Sequence, residues 1–220
     1  NYKKPLNWVV LKSLTMSVIN GTYFSSQLSI HYSETLIKDS QIFSSTSDDG
    51  VNIKFSHIQI LDSDFYNNFA DQIDLDYSNG IVSGNEFYYN KPIMEDSSTD
   101  GLDISGSVIV IRNNTFDGMT DKGISVGESS SAIILENIFT ENYSAIAVKD
   151  NSEVCIVSND YLRNIIDINP YVKKKMYDIP NLYLKEKTSL SINESPLNDY
   201  KIHNELSPMC NDWLESGFKP

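Results

Sequence analysis

The sequence predicts an all-β protein in which short parallel strands stack, coil upon coil, into a solenoid. The first observation is a repeated step, in which a serine is followed seven positions later by asparagine or serine. The second is the interval between successive serines, which is 20, 23, 22, 29, 23 and 22 residues. The third is an apolar–x–apolar triplet before six of the serines, the alternation of a half-buried strand. The seven pairs are Ser13/Asn20, Ser33/Ser40, Ser56/Ser63, Ser78/Asn85, Ser107/Asn114, Ser130/Asn137 and Ser152/Asn159.

Each coil is predicted to contain three strands. The first is the triplet before the serine, such as Leu102-Asp-Ile104, and the second follows the serine, as in Val108-Ile-Val110. The third contains a mostly aromatic position two residues beyond the Asn or Ser: Thr22, Ile42, Phe65, Phe87, Phe116, Phe139 and Tyr161. This pattern predicts a parallel β-helix of about seven coils over residues 1–168, each coil about 22 residues long. Ankyrin and tetratricopeptide repeats are excluded, because their periods are about 33–34 residues.

The repeated side chains have structural explanations. At the corners, Ser and Asn are expected to bond to local backbone and to their counterparts in the coils above and below. The inward Ile, Val, Leu and Phe side chains should stack from coil to coil at the strand spacing of about 4.8 Å. These repeated side chains therefore predict the fold, but they do not indicate a catalytic or binding function.

The C-terminal part departs from the repeat. The last recognisable strand lies near Ile166-Asp-Ile168, and five prolines interrupt the remainder. We therefore divide the chain into a β-helix at 1–168 and a capping segment with an extended tail at 169–220. Apolar side chains that could cover the open end coil are Tyr177, Leu182, Tyr183, Leu184 and Trp213. Residues 1–8 either cap the first coil or lead from an upstream domain.

Composition narrows the range of functions. The 220 residues carry a formal net charge of −13, which argues against nucleic acid as a partner because phosphates need a basic surface. No apolar stretch reaches the length of a membrane span. The two cysteines, Cys155 and Cys210, either form a disulfide or leave Cys155 as a buried thiol in a strand.

Aligning the repeats gathers carboxylates on one face. The outward position of the first strand is occupied by Asp74 and Asp103 in two adjacent coils, and the positions around it add further aspartates. The predicted cluster is Asp71, Asp74, Asp76, Asp100 and Asp103. Like charges opposed in a sheet must raise their pKa values, move apart or bind a cation, and Ca²⁺ takes oxygen ligands of this kind. The alternative is that Asp49, Asp71 and Asp100 are turn residues, as the Asp-Gly pairs at 49–50 and 100–101 indicate, and that the other aspartates are solvated surface charges.

The longest repeat interval holds an insertion at residues 88–99. Extra loops on one face of a solenoid usually shape its binding surface. Tyr88, Tyr89 and Lys91 in this insertion are predicted to contact a sugar, and we add Lys149, which lies two positions beyond the outward column.

The stretches Asp71-Gln-Ile-Asp-Leu-Asp-Tyr-Ser78 and Asp100-Gly-Leu-Asp-Ile-Ser-Gly-Ser107 carry a family resemblance. The repeats at about 8–168 resemble the right-handed parallel β-helix superfamily of pectate-lyase-like proteins, including a bacterial and archaeal group without an assigned function. Asp100-Gly-Leu-Asp103 is similar to the Ca²⁺ ligand run of the lyases that use a lysine base, and Asp71 matches the ligand one coil earlier. The expected lysine position is Ser125, with Lys122 and Lys149 nearby. Gly-His-Gly, a motif of the polygalacturonase-type hydrolases, is absent.

This resemblance implies a specific set of roles. Lys122 would be the base that removes a proton beside a uronate carboxylate, and Asp103 and Glu128 complete the predicted catalytic group. We expect an extracellular or cell-surface β-helix that binds or degrades a polysaccharide, and an acidic glycan is one candidate. If it degrades the polysaccharide, we expect a Ca²⁺-dependent uronan lyase or a glycoside hydrolase. The alternative is a non-catalytic structural or adhesive module of a surface, spore-coat or tail-fibre assembly, and the sequence leaves open whether the protein is an enzyme.

Overall fold

The described residues of a computed structural model are 6–46, 48–90, 98–186, 189–193 and 200–216. They form a right-handed parallel β-helix of about seven turns, which confirms the predicted fold class. Three sheets run along the solenoid, and within each of them neighbouring strands pair in parallel. The chain visits sheet 3, sheet 1 and sheet 2 in turn and then enters the next coil.

The strands of each sheet come from successive coils. Sheet 1 contains β1 (Leu6–Asn7), β6 (Glu34–Lys38), β9 (His57–Leu61), β12 (Asn79–Ser83), β15 (Val108–Arg112), β18 (Ser131–Leu135), β21 (Glu153–Val157), β24 (Asn181–Lys185) and β25 (Lys201–His203). Sheet 2 contains β2 (Val10–Lys12), β7 (Gln41–Phe43), β10 (Asp64–Tyr66), β13 (Glu86–Tyr88), β16 (Thr115–Asp117), β19 (Ile138–Thr140) and β22 (Asp160–Leu162). Sheet 3 contains β5 (Leu28–His31), β8 (Val51–Lys54), β11 (Ile73–Asp76), β14 (Leu102–Ser105), β17 (Lys122–Gly127), β20 (Ser144–Lys149) and β23 (Ile166–Tyr171).

The seven-residue step has a simple geometric origin. A five-residue strand of sheet 1 is followed by a two-residue corner, as in β15 followed by Asn113 and Asn114. The first corner residue has a left-handed backbone, with φ of 54° at Asn113. The second residue supplies the polar side chain. Five plus two residues therefore separate the Ser of one corner from the Asn or Ser of the next.

The corner side chains form continuous hydrogen-bonded ladders. The backbone N–H of Ser107 donates to Oγ of Ser130, and the N–H of Asn114 donates to Oδ1 of Asn137, at 3.1 and 3.0 Å. Asn114 Nδ2 also donates to the carbonyl of Val82. Buried polar groups that are paired in this way avoid the desolvation cost of an unmade bond, about 1–3 kcal/mol each. The predicted structural role of the Ser and Asn columns is confirmed.

Inside the solenoid, apolar residues stack in rows as predicted. Phe65, Phe87, Phe116 and Phe139 are fully buried, and the centroids of neighbouring rings lie 5.3, 4.7 and 5.2 Å apart. This spacing follows the distance between strands in a sheet. Rigid rows of this kind fix the register of each coil on the next, so the outward positions also align in columns.

The first predicted repeat is wrong. Ser13 lies at the corner after β2, with φ of 56°, and not at a corner before a strand of sheet 1. Asn20 lies with Gly21 at the turn of an antiparallel hairpin of β3 (Ser17–Ile19) and β4 (Thr22–Phe24). The first coil instead comes from β1 and β2. An Asn-Gly pair between short β-forming runs is a strong hairpin signal, and it determines the structure here although the seven-residue spacing of Ser13 and Asn20 matches the repeat.

The C-terminal segment continues the solenoid further than predicted. β23 extends through Pro170 to Tyr171, and β24 and β25 add two strands to sheet 1. Helix α1 (Pro208–Ser216) then lies against the outer surface of sheet 1, where Trp213 packs beside Cys155 and Cys210. Trp213 therefore covers a side of the solenoid and not its end coil.

A disulfide links the two cysteines. Cys155 lies in β21 and Cys210 in α1, with their Cα atoms 5.9 Å apart. Because the bond joins positions 55 residues apart, it fastens the C-terminal helix to the stacked coils. Of the two interpretations that the sequence left open, the structure shows the disulfide. Within the described residues, no helix has the length and apolar character required to cross a lipid bilayer.

Candidate functional site

The outer surface of sheet 3 carries the predicted carboxylates in register. Asn52 pairs with Asp74 and Asp74 with Asp103 along one column, while Lys54 pairs with Asp76 along another. We call this surface the acidic face; its aspartates are Asp49, Asp71, Asp74, Asp76, Asp100 and Asp103. Sequence alignment of the repeats therefore placed these side chains correctly.

Three of these aspartates form a ladder at the corner before sheet 3. Oδ1 of Asp49 accepts from the N–H of Asp71, and Oδ1 of Asp71 accepts from the N–H of Asp100, at 3.2 and 2.9 Å. Oδ1 of Asp100 accepts in turn from the N–H of Lys122 at 3.0 Å. This arrangement repeats the Asn ladder of another corner. These aspartates therefore have the structural role that the turn interpretation assigned to Asp71 and Asp100.

A tight carboxylate cluster lies where this ladder meets the outward column. One oxygen from each of Asp71, Asp100 and Asp103 lies within 4.8 Å of the other two. Ca²⁺ binds its oxygen ligands at about 2.3–2.6 Å, so oxygens on opposite sides of the ion are about 5 Å apart. The spacing of the three carboxylates therefore fits a hard cation.

Burial and mutual repulsion disfavour the ionised forms of these carboxyls. Burial, reinforced by the charge of Asp48, raises the pKa of Asp49 from 3.8 to about 7. Burial likewise raises the pKa of Asp100 to about 7, and burial together with the charge of Asp100 raises the pKa of Asp71 well above its usual range. A cation would remove this repulsion, because it favours the ionised forms.

Asp74 and Asp76, predicted as ligands, have other partners. Asn52 donates a short hydrogen bond to Asp74, and burial together with the charge of Asp76 raises the pKa of Asp74 to about 8. Lys54 Nζ forms an ion pair with Asp76 at 2.6 Å. The structure thus separates the cluster of Asp71, Asp100 and Asp103 from these two residues.

Lys122, predicted as the catalytic base, lies beside the cluster but is strongly paired. Its Nζ is 3.4 Å from Oδ1 of Asp100 and also forms a short ion pair with Asp121. Burial opposes the charged form, but the two carboxylates outweigh it and raise the pKa of Lys122. An ammonium held in this way is poorly suited to accept a proton.

Lys149 reaches the cluster from the other side. Its Nζ lies 3.8 Å from Oδ1 of Asp103, although Lys149 starts on β20, two coils away. The lysine chain passes over Gly127, where an added Cβ would lie 3.1 Å from its Cε. Only 6% of the Lys149 side chain is exposed. Because Gly127 has no side chain, it provides the space along which the buried Lys149 ammonium reaches Asp103.

Two buried hydroxyls lie on the same surface. Ser125 occupies the outward column next to Asp103, and Ser144 pairs in register with Lys122. Both serines are fully buried, and neither Oγ has a hydrogen-bond partner among the described residues. Ser125, the position where the resemblance expects a lysine, is thus a buried hydroxyl next to Asp103.

Tyr171 is a site residue that our sequence analysis missed, because we assigned it to the capping segment. It pairs in register with Lys149, and burial raises the pKa of its phenol to about 12 despite the opposing charge of Lys122. The charges of Asp121, Asp100 and Asp103 also raise this pKa, so the phenol lies within electrostatic range of the cluster. Extending the column of Lys149 by 22 residues finds Tyr171.

The remaining predicted residues lie away from the cluster. Glu128, at the corner after β17, forms a short ion pair with Lys174. Asp150, at the equivalent corner after β20, accepts the N–H groups of Lys173 and Lys174. These contacts hold the segment after Tyr171 against sheet 3. Glu128 thus contributes to the attachment of this segment.

Tyr88 and Tyr89 belong to a different surface. Tyr88 lies on sheet 2, with its ring stacked on Tyr66 at 4.4 Å, and Tyr89 packs partly against the core. Together with Asp117 and Gly118 they line a depression of about 390 Å³. Lys91 lies outside the described residues. The structure therefore does not bring the predicted sugar-contact tyrosines onto the acidic face.

Comparison with known proteins agrees with this architecture. The family profile described as a right-handed β-helix region matches residues 26–168. The chain belongs to the right-handed β-helix family. Among curated proteins, no match to the sequence was found.

Solved structures provide further relatives of this β-helix. The alginate lyase from Paenibacillus sp. str. FPU-7 superposes with a TM-score of 0.53 at 14% identity, over 93% of this chain and 90% of that chain. The periplasmic alginate epimerase AlgG has a TM-score of 0.43 at 17% identity, over 81% of this chain and 43% of that chain. The chain therefore spans less than half of the epimerase, and the similarity to the lyase shows a shared fold.

Proposed function

We propose that this β-helix binds an acidic polysaccharide on the outer surface of sheet 3 and cleaves it by β-elimination. The observation that supports the proposal is the meeting of three carboxylates with a buried ammonium: Lys149 Nζ is 3.8 Å from Asp103, a member of the cluster with Asp71 and Asp100. A surface with this many carboxylates repels a uronate unless a cation bridges the two.

The cluster is suited to Ca²⁺, because it offers only oxygen ligands at the right spacing. Bound there, Ca²⁺ would neutralise the substrate carboxylate and acidify the proton on the adjacent carbon. Asp71, Asp100 and Asp103 would hold the ion, and the buried hydroxyl of Ser125 offers a further oxygen on the same column.

The chain's own residues supply the proton transfers. Lys149 is the proposed base, since Asp103 lies beyond hydrogen-bonding distance, whereas Lys122 has two carboxylates close to its ammonium. Lys149 must act as the neutral amine, which takes the proton beside the carboxyl group. The electrons of that C–H bond form the C=C bond, and the electron pair of the glycosidic C–O bond leaves with the oxygen. Tyr171 is the proposed donor to the leaving oxygen, because it lies in register with Lys149 in the next coil and a phenol is protonated at neutral pH.

The disulfide supports the proposed extracellular or cell-surface location. Disulfides persist mainly in oxidising compartments, and this bond joins a core strand to a helix on the surface. A polysaccharide partner is compatible with that location.

The non-catalytic alternative is favoured by the Asp ladder. Asp49, Asp71 and Asp100 each accept a backbone hydrogen bond from the following coil, which is a structural use of one carboxylate oxygen. In this alternative the solenoid serves as a structural or adhesive module, and the lysines only balance the charge.

An assay for unsaturated products distinguishes the two functions. The protein is incubated with Ca²⁺ and with oligomers of alginate or of polygalacturonate, and the ultraviolet absorbance of the new C=C bond is followed. Alginate is chosen because a solved structure of the same fold is an alginate lyase. We expect activity that falls at least a hundredfold in Lys149→Met and in Asp103→Ala, but less than threefold in Lys12→Met, a lysine on sheet 2. Activity that survives Asp103→Ala would refute the site, and binding without product would support the adhesive alternative.

A further inference from the structure

A row of exposed aromatic rings borders the acidic face. Tyr32, Phe55 and Tyr77 occupy the corners that follow β5, β8 and β11, and each comes directly after a residue of sheet 3. Their centroids are 5.0 and 5.2 Å apart and their planes differ by only 8° and 5°. We call these three residues the aromatic ribbon.

Local backbone preferences do not explain this choice of residues. The three corner residues have φ values of 51°, 51° and 47°, in the left-handed region that bulky side chains avoid. At the later corners of the same series the first residue is Gly106, Glu128 or Asp150. Left-handed backbone costs an ordinary residue about 1–2 kcal/mol, so the aromatic residues occupy these corners against the local preference.

The ribbon is also exposed. Tyr32, Phe55 and Tyr77 are 77%, 46% and 55% accessible, although aromatic side chains are normally drawn into cores. Apolar surface that is held rigid and exposed, and is rimmed by polar groups, typically marks a binding site. Stacking between neighbouring rings explains why the rings are rigid, but it does not explain why they are exposed to solvent.

Polar groups line both sides of the ribbon. On the side of sheet 3, the preceding residues are His31, Lys54 and Asp76. On the side of sheet 1, Glu34 and His57 line an open depression of about 450 Å³ with Tyr32 and Phe55. A sugar ring presents C–H groups on its faces and hydroxyls on its rim, which matches an apolar strip between two rows of hydrogen-bonding groups.

The ribbon leads to the proposed site. The Tyr77 ring lies over Gly106, where an added Cβ would be 2.7 Å from the ring, and Gly106 directly follows β14, the strand that carries Asp103. The glycine therefore allows the last ring to extend toward the coil of the carboxylate cluster. A glycan that lies on the ribbon and then crosses sheet 3 obliquely toward Asp103 would contact both.

We propose that the aromatic ribbon binds the sugar rings of the polysaccharide beyond the carboxylate cluster, as an additional set of subsites. The ligand class is a pyranose chain whose C–H faces and hydroxyls contact the rings and their polar rims. This inference rests on the proposed function, because it assigns the ribbon to the same substrate. It predicts that affinity depends on the length of the oligosaccharide.

Calorimetric titration with uronate oligomers from dimer to octamer, in the presence of Ca²⁺, tests the proposal. The variant combines Tyr32→Asn, Phe55→Asn and Tyr77→Asn, since asparagine tolerates left-handed backbone. We expect affinity for the octamer to fall at least tenfold and affinity for the dimer to change less than twofold. Tyr143→Asn, at an exposed tyrosine outside the ribbon, is the control and should leave both affinities unchanged.

The outcomes separate the two proposals. If the octamer binds the triple variant as tightly as the parent protein while Asp103→Ala abolishes binding, the ribbon is not a subsite and the proposed site remains. If the triple variant loses affinity and Asp103→Ala does not, the ribbon binds glycan and the carboxylate site is refuted. If no oligomer binds the parent protein, both proposals are overturned.

Discussion

The raised pKa of Asp49 predicts an unusual dependence of stability on pH. In the unfolded chain the carboxyl ionises near pH 3.8, whereas in the folded protein it retains its proton to about pH 7. Between these values the folded state binds more protons, so the free energy of unfolding decreases as the pH rises. The stabilising contribution is complete below the unfolded pKa and is lost as the pH passes through the folded pKa.

The expected magnitude follows from the two pKa values. A shift from 3.8 to about 7 corresponds to about 4 kcal/mol, at roughly 1.4 kcal/mol per unit. For a protein of this size, 1 kcal/mol changes the melting temperature by about 2–4 °C. In EDTA we therefore expect Asp49→Asn to match the parent protein at pH 4 and to melt about 10 °C higher at pH 8, because the amide keeps an acceptor for the N–H of Asp71.

Calorimetric melting of both proteins from pH 4 to pH 8 tests this reasoning. Asp160→Asn, at an exposed aspartate, is the matched control and should melt in parallel with the parent protein. If the curves of Asp49→Asn and the parent protein also stay parallel across this range, burial does not disfavour the ionised form of Asp49.

Three further predictions concern the fold and the site. Asn114→Ala should lower the free energy of unfolding by about 3–5 kcal/mol in chemical denaturation, because it leaves the N–H of Asn85 and the carbonyl of Val82 unpaired; a loss below 1 kcal/mol would contradict the role of the ladder. Cys210→Ser should cost about 4 kcal/mol in the same assay, from the closed loop of 55 residues, and an unchanged midpoint would show that α1 is held without the bond. Gly127→Ala should displace Lys149 and lower product formation about tenfold at an unchanged melting temperature; full activity would contradict the proposed path of the lysine.

Much of the fold was predictable because the repeat sets the geometry. Once the Ser and Asn corners were aligned, the inward Phe rows and the outward Asp columns followed, since each coil repeats the same strand and corner lengths. The hairpin at Ser17–Phe24 departs from the repeat, because an Asn-Gly turn outweighs the matching spacing of Ser13 and Asn20. Tyr171 lies beyond the predicted repeat, because Pro170 belongs to a terminal strand, where a missing N–H is tolerated.

Side-chain direction explains why the site was predicted less well than the fold. Register fixes which Cα atoms are neighbours, but Lys149 reaches two coils back to Asp103 while Lys122 turns to Asp100 and Asp121. Long flexible chains choose among partners by burial and charge, which a repeat alignment does not contain. The sequence therefore indicated which carboxylates share one surface, but neither which three of them cluster nor which lysine meets Asp103.

The corner ladder itself argues that the carboxylates of Asp71 and Asp100 serve more than structure. Asparagine fills the equivalent role at Asn114 and Asn137, accepting a backbone N–H without a charge to desolvate. Burial in the ladder raises the pKa of an aspartate, so its ionised form destabilises the metal-free protein at neutral pH. Folding stability alone would therefore favour asparagine at these positions. Each carboxylate uses one oxygen for the ladder and has a second for a ligand. Asp71→Asn should therefore melt at the same or a higher temperature than the parent protein in EDTA, yet lose the upward shift that we expect Ca²⁺ to produce in the parent protein. A Ca²⁺ shift that persists in this variant would show that Asp71 is not a ligand.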